Sequence, residues 1–410
     1  MSSTKTAKYL LRGYVALLFL LYASFVIIDM GAGYLLSRID GSYARSLERE
    51  RKCAQDYMMI DNARDQGYSS LLYPELYNKT PYKEIALKNK IAPLGAQPNS
   101  NLYYCNEGYS QVRYKSDRYG FRNENYLWDA QADLVIIGDS FVHGACVSSD
   151  QTLSGILNKN GYKTLNLGTG SNSPIHYAAI SKTFLDAVKP KVAVTVFYSN
   201  DNIDGEENSI YYEIFFARNT SYFKTTTGKD RQLSSSLKSL IDESSITLEK
   251  TSRQLNDERS LEKTACQNSA SFVQNVQQIY SYLTQHLRLK STIDLINVFL
   301  RTAPEHKKEL PFGSKLAVDT LKTQCEKNKC IPLVVYISNS KFWRPDSRAS
   351  NYEFLLKEYS QQNKVDFLSM TNELNNTGID AYAIKGPHLS PLGYRLVAKK
   401  IEDFFRSMQD

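Results

Sequence analysis

The chain has 410 residues, room for one substantial core plus appendages, and its 42% apolar content is that of a folded protein. Its 50 Lys and Arg against 43 Asp and Glu leave a net charge of +7, spread without a concentrated basic stripe, which argues against nucleic acid as a partner. A modest positive excess suits residence beside anionic lipid headgroups or acidic glycans.

No charge occurs from residue 13 to 28, and apolar character continues through 9–11 and 31–36. A bilayer core takes about 20 apolar residues as a helix, so a single transmembrane span over 13–36 is expected, with Arg12 or Asp29 at its ends. Lys5, Lys8 and Arg12 place residues 1–12 in the cytoplasm, although Arg38 and Arg45 make the asymmetry modest. The competing reading is a cleaved signal peptide with Gly31 and Gly33 before the cut. The apolar stretch exceeds the roughly 7 to 15 residues of a signal core, which favours a retained anchor in the inner or plasma membrane. Either way the remainder is exported, periplasmic or extracellular. Residues 37–130 follow as a stalk and N-terminal extension, with alternating charge over 42–56 and many tyrosines.

From residue 131 the pattern becomes alternating strand and helix. Leu134 to Ile137 form a β-branched-rich run suited to a strand buried on both faces, and Gly138 permits a sharp turn that delivers Ser140 to the strand's carboxyl end. Short buried strands are expected at 164–167 and 192–197, so Gly170 and Asn200 fall just beyond strand ends, where ligands bind in open parallel sheets. Residues 205–310 interrupt the alternation as a helical insertion: 234–263 is polar, whereas Phe272, Val276, Ile279, Leu283 and Leu287 recur at helical spacing. It is placed either to cap the active-site edge or as a peripheral spacer. Alternation resumes with a helix near 315–326, a strand at 332–337, a helix near 352–361, a strand at 365–368 and a closing helix. That helix has Ser390 as N-cap, Pro391 at its first position and Leu396, Val397 and Ile401 on its apolar face. The expected fold is α/β: a flavodoxin-like three-layer sandwich with a five-stranded parallel sheet, the helical insertion and the N-terminal transmembrane helix.

Four segments resemble the blocks of the SGNH, or GDSL, hydrolases: GDSF at 138–141, NLGTGSNSP at 166–174, FYSND at 197–201 and HLSPLGY at 388–394. The lead-in SDRYGFRN at 116–123 also resembles that of some bacterial members. The resemblance implies that Ser140 attacks an ester carbonyl and His388 takes its proton. The oxyanion would be held by the amides of Ser140 and a glycine, Gly168 or by preference Gly170, together with the Asn200 side chain. A hydroxyl needs an adjacent imidazole to become a nucleophile, and a tetrahedral oxyanion needs fixed donors.

The sequence departs from that pattern where an aspartate is expected three residues before the histidine, since Lys385 stands there. Three answers are open: Asp380 reaches back from the same loop, a backbone carbonyl holds the ring in a Ser-His dyad, or the protein is inactive. Tyr198 replaces the usual glycine of the third block and alters the pocket wall. Trp343 and Arg344, in the loop after the fourth strand, are candidates for substrate contact. His143 is expected at a pocket wall or surface, and His176, His286 and His306 lack partners at metal-ligand spacing. With no Cys-x-x-Cys pair or phosphate-binding glycine loop, neither metal nor nucleotide cofactor is expected. Six cysteines suit an oxidising compartment; Cys325 with Cys330 is the expected pair, leaving Cys53 with Cys105 and Cys146 with Cys266 in an order that sequence does not establish.

The functional expectation is a membrane-anchored extracytoplasmic serine esterase that removes acyl groups, acetyl foremost, from a cell-envelope or extracellular glycan. One alternative is an O-acetyltransferase, which would need a membrane partner supplying acyl groups. Another is an inactive glycan-binding or scaffold protein with the same fold.

Overall fold

In the computed structural model the described residues are 3–39, 66–70, 72, 74–109, 111–218, 222–224, 232–248, 292, 307–339, 351–384 and 386–408. Five strands, β1 (Leu134–Gly138), β2 (Thr164–Gly168), β3 (Val192–Tyr198), β4 (Ile331–Ile337) and β5 (Asp366–Ser369), form one parallel sheet in the order β5-β4-β3-β1-β2. Each lies within a residue or two of its expected position, and the order is the flavodoxin-like one.

Successive side chains of a strand point to opposite faces, and here both faces are apolar. Val135, Ile137, Leu165, Leu167, Phe197 and Tyr336 enter one core, whereas Leu134, Ile136, Val194, Val196, Leu333 and Val335 enter the other. Helices α1 (Leu153–Lys159) and α5 (Pro391–Ser407) cover the second face through Leu153, Leu157, Val397 and Ile401. The first face is covered by α2 (Pro174–Val188), α3 (Phe312–Asn328) and α4 (Tyr352–Gln362). This is the three-layer α/β sandwich that continuous apolar strands require.

The extension before β1 is more than a stalk. Tyr77, Ile91, Leu94, Tyr119 and Phe121 are buried in the first core, and a small sheet joins Ser69–Ser70, Asn101–Tyr103 and Arg113–Lys115. Asn123, at the end of the SDRYGFRN segment, accepts from the Asn166 amide and donates to the Asn166 carbonyl, both at 2.8 Å. Its side chain stands where a neighbouring strand would be and satisfies the exposed edge of β2. Asp117 of the same segment is buried and accepts from the amides of Tyr119 and Phe121, the Asn123 amide group and the Trp128 indole. Burial raises its carboxyl to about 6 against those lowering hydrogen bonds.

The chain divides into two units, Gln55–Thr251 with Pro304–Asp410, and Met1–Ala54 with Ser252–Ala303. The insertion expected over 205–310 is thus shared between them: a helix over 235–248 contributes Leu237, Leu240 and Ile241 to the first core, while 252–303 groups with the amino terminus. The second unit contains the helix Ser3–Ile39, whose segment Ala16–Leu35 is long and apolar enough to cross a bilayer, at a mean hydropathy of 1.9. Asp29 lies inside that segment, fully buried, and accepts from the amide and hydroxyl of Thr292 at 2.9 and 3.2 Å. The amphipathic repeat at 272–287, Trp343, Arg344, Lys385, His286, His306, Cys53 and Cys266 lie outside the described residues.

Candidate active site

The first strand ends in a turn that only glycine permits. A Cβ on Gly138 would lie 2.5 Å from the Val142 side chain and 3.0 Å from the Val196 carbonyl. Asp139 then caps the short helix Ser140–His143 by accepting from the Phe141 amide at 2.8 Å. Burial raises the Asp139 carboxyl to about 6, against the pull of the Phe141 amide and His388. Ser140 opens the helix half-buried, with its hydroxyl at the sheet's carboxyl edge.

His388 arrives from the other end of the chain. The Ser390 hydroxyl accepts from the Gly393 amide at 3.1 Å and caps α5, with Pro391 at its first position, so the histidine two residues earlier is held at a fixed helix entry. Its Nε2 lies 2.8 Å from Ser140 Oγ.

The carboxylate at the other ring nitrogen is Glu107, which corrects the expectation for Asp380. Glu107 Oε1 is 2.8 Å from His388 Nδ1, and its Oε2 accepts from the His388 amide at 3.2 Å. A carboxylate facing Nδ1 fixes the hydrogen there and leaves Nε2 free to accept the serine proton. The His388 and Glu107 side chains are only 17% and 12% exposed, so their attraction is little screened. Asp380 sits exposed on the turn Gly378–Ala381, where its carbonyl accepts from the Ser390 hydroxyl. Gly386 makes room for the substitute: a Cβ there would fall 1.6 Å from the Glu107 carboxyl carbon.

Glu107 belongs to the extension, in a loop tied to the chain just past Ser140 by a Cys105–Cys146 disulfide with Cα atoms 5.0 Å apart. This pairing replaces both pairings left over in the sequence reading, because the strand Asn101–Tyr103 brings Cys105 against the chain just past Ser140. Cys325 and Cys330 are bonded as expected, closing the end of α3 onto β4. Within the loop the Tyr104 amide donates to Val112 O and the Val112 amide to Cys105 O, both at 2.9 Å. Glu107, Cys146 and His388 come close enough to suggest a metal site, but the hydrogen bond and the disulfide account for that proximity.

His143 is neither wall nor surface. The helix that carries it ends at Gly144, which has a positive φ of 80°, and the imidazole turns inward to 1% exposure. Its Nδ1 accepts from the Gly170 amide at 3.1 Å, so Nε2 carries the hydrogen and donates to the Tyr114 hydroxyl at 2.8 Å. Burial, with Arg122 nearby, holds its pKa well below the ordinary value and keeps it neutral. Arg122 is itself buried and donates to the carbonyls of Gly144 and Val147 at 2.9 Å, bracing the loop behind Ser140.

This arrangement corrects the oxyanion assignment. The Gly170 amide is committed to His143, and that of the alternative, Gly168, to Asn166 Oδ1 at 2.9 Å. The loop instead presents Ser171, at a φ of +62°, and Asn172 to the cavity. Asn200 stands on the same wall as expected, just past β3. Tyr198 stacks on Phe141 at 4.0 Å and donates to Asn339 Oδ1 at 2.9 Å, forming a wall behind Ser140.

The cavity beside Ser140 and His388 has a volume of about 680 Å³ and is lined mostly by polar residues. Glu206 lies in its wall, with Oε1 accepting from the Ser173 hydroxyl at 2.5 Å and the Ile175 amide at 3.2 Å. Burial raises its pKa to about 7 in spite of those bonds. His176 is buried, its pKa lowered to about 3 by that burial, and its Nδ1 accepts from the Ser173 amide at 3.1 Å.

Among known proteins, no family model matches the sequence, and no curated protein matches it. Solved structures do. One described as the crystal structure of TesA aligns over 66% of this chain and 96% of its own, with 10% identity and a TM-score of 0.33. A second aligns over 67% and 99%, with 10% identity and a TM-score of 0.30.

Proposed function

We propose that the chain is a serine esterase of the SGNH type, anchored in a membrane by its amino-terminal helix, that removes acetyl groups from a glycan outside the cytoplasm. One observation carries this reading: His388 bridges Ser140 Oγ and the Glu107 carboxylate at 2.8 Å on either side. In the reaction Ser140 Oγ bonds to the ester carbonyl carbon while its proton passes to His388 Nε2. The tetrahedral oxyanion is received by the Ser140 amide, at the start of a helix, and by the Asn200 carboxamide. Collapse breaks the bond to the sugar oxygen, which leaves with the proton held on His388. Water, deprotonated by the same imidazole, then releases acetate. Glu107 keeps the imidazole in the required tautomer and stabilises its cation.

The polar cavity favours a hydroxyl-rich leaving group over a lipid, and an assembled triad favours chemistry over a purely binding role. A sugar hydroxyl in place of water would make the same site an O-acetyltransferase. Trp343 and Arg344 remain proposed substrate contacts. The test is acetate release from an aryl acetate by the purified chain in detergent: Ser140→Ala should abolish it, and retained activity would refute the esterase reading. Adding oligosaccharide and following acetyl transfer to it separates transferase from hydrolase.

A further inference from the structure

Asn172 lies within the second block, just after Ser171, and lines the catalytic cavity at 5% exposure. Neither its Oδ1 nor its Nδ2 has a hydrogen-bond partner among the described residues. A shielded carboxamide left without partners costs free energy, because it has given up its bonds to water and gained none in return. Its backbone is fixed, with the amide donating to the Thr169 carbonyl at 3.2 Å and Ser171 before it in the left-handed region. A group that completes the carboxamide must accept from Nδ2 and donate to Oδ1. A hydroxyl does both.

The surroundings narrow the carrier of that hydroxyl. Glu206, 7% exposed in the same wall, has its Oε1 held by the Ser173 hydroxyl and the Ile175 amide, while its Oε2 packs against Gly313 of α3. Acidic side chains on the wall outnumber the basic Lys83 and His388, so an anionic ligand is disfavoured. The apolar side chains on the wall are Tyr104, Ile175 and Ile203, set among a majority of polar ones.

We propose that Asn172 is the specificity residue of this site, reading a free hydroxyl on an uncharged sugar ring whose neighbouring hydroxyl carries the ester presented to Ser140. The inference rests on the esterase reading and deepens it. A site built to hydrogen-bond a substrate hydroxyl discriminates strongly against analogues that lack it, because its own polar groups are then left unpaired.

The experiment compares two substrates with the full chain in detergent: p-nitrophenyl acetate, which has no hydroxyl, and a methyl β-xyloside bearing one O-acetyl group. Asn172→Ala should lower kcat/KM for the xyloside about tenfold more than for the aryl acetate, mainly through KM, as loss of one hydrogen bond predicts. Asn172→Asp, nearly the same shape but without the donor, should shift the ratio in the same direction, and its thermal unfolding guards against misfolding of the alanine variant. An equal fall on both substrates, no fall on either, or a wild type that cleaves only the aryl acetate overturns the inference while leaving the esterase standing. Activity that survives Ser140→Ala on both substrates refutes the esterase reading itself.

Discussion

At the scale of single residues, the chemistry turns on what holds the imidazole. Three of the four groups at the site were legible because each follows a local device: Ser140 a strand and a glycine turn, Asn200 the end of β3, His388 a serine-capped helix. Glu107 was not, since a carboxylate 281 positions from its histidine, in a loop with no periodic pattern, leaves no mark of its own. Only the misplaced Lys385 signalled that the acid must come from elsewhere. Glu107→Gln should therefore lower kcat on an aryl acetate by about 100- to 10,000-fold, in line with the loss of a triad carboxylate elsewhere. Asp380→Asn should change it less than twofold; the reverse pattern would return the acid role to Asp380. Glu206 gives a second prediction, in stability. Its folded pKa of about 7 exceeds the unfolded value of 4.5, so between those pH values the unfolded chain releases a proton that the native state keeps. That contribution is fully present below pH 4.5 and lost as pH rises through 7. The stability of Glu206→Gln relative to wild type should thus rise across that window by up to about 3 kcal/mol and level off above it. Chemical denaturation at pH 5 and pH 8 checks the sign.

At the scale of elements, the site is made by two bodies of sequence that meet at one edge. The α/β strands were readable because a parallel sheet buried on both faces demands continuous apolar runs, and β1 to β4 supply them. The extension was not, because its fold depends on partners rather than on periodicity. Asn123 finishes the edge of β2, Arg122 braces the loop behind Ser140, and Asp117 gathers four donors, none of which a hydrophobic pattern records. His143 and Gly170 were misread for the same reason: a hydrogen bond between the short helix after β1 and the loop after β2 redirected both. The Cys105–Cys146 disulfide is the covalent part of this junction, two residues from Glu107. Replacing both cysteines by serine should let the loop fluctuate and lower kcat by about 10- to 100-fold, toward the Glu107→Gln value, as small misplacements of catalytic groups do. Replacing Cys325 and Cys330 by alanine should leave kcat within twofold, because that bond spans only five positions at the far end of α3. Equal effects from the two pairs would show the first to be structural alone.

At the scale of the whole molecule, the question is where such a chain can reside. The helix Ser3–Ile39 exposes Phe19, Leu20 and Ile27 at 70%, 63% and 71%, a distribution that suits hydrocarbon and is costly in water. Asp29 within it is tolerable at membrane depth only with a polar partner, and Thr292 supplies two hydrogen bonds. The other unit carries two disulfides, which persist where the surroundings are oxidising. An apolar helix of this length suits a membrane anchor or an export signal, and the disulfides suit a domain outside the cytoplasm. The chain should therefore remain with membranes after alkaline carbonate extraction. Alkaline phosphatase, active only outside the cytoplasm, should work when fused after residue 408 and fail when fused after residue 10. In the intact chain Cys105, Cys146, Cys325 and Cys330 should resist alkylation until a reductant is added. Extraction into the soluble fraction with the fusion still active would mean that the helix is cut off as a signal. An inactive carboxyl-terminal fusion with four alkylated thiols would put the catalytic cavity in the cytoplasm, out of reach of any envelope glycan.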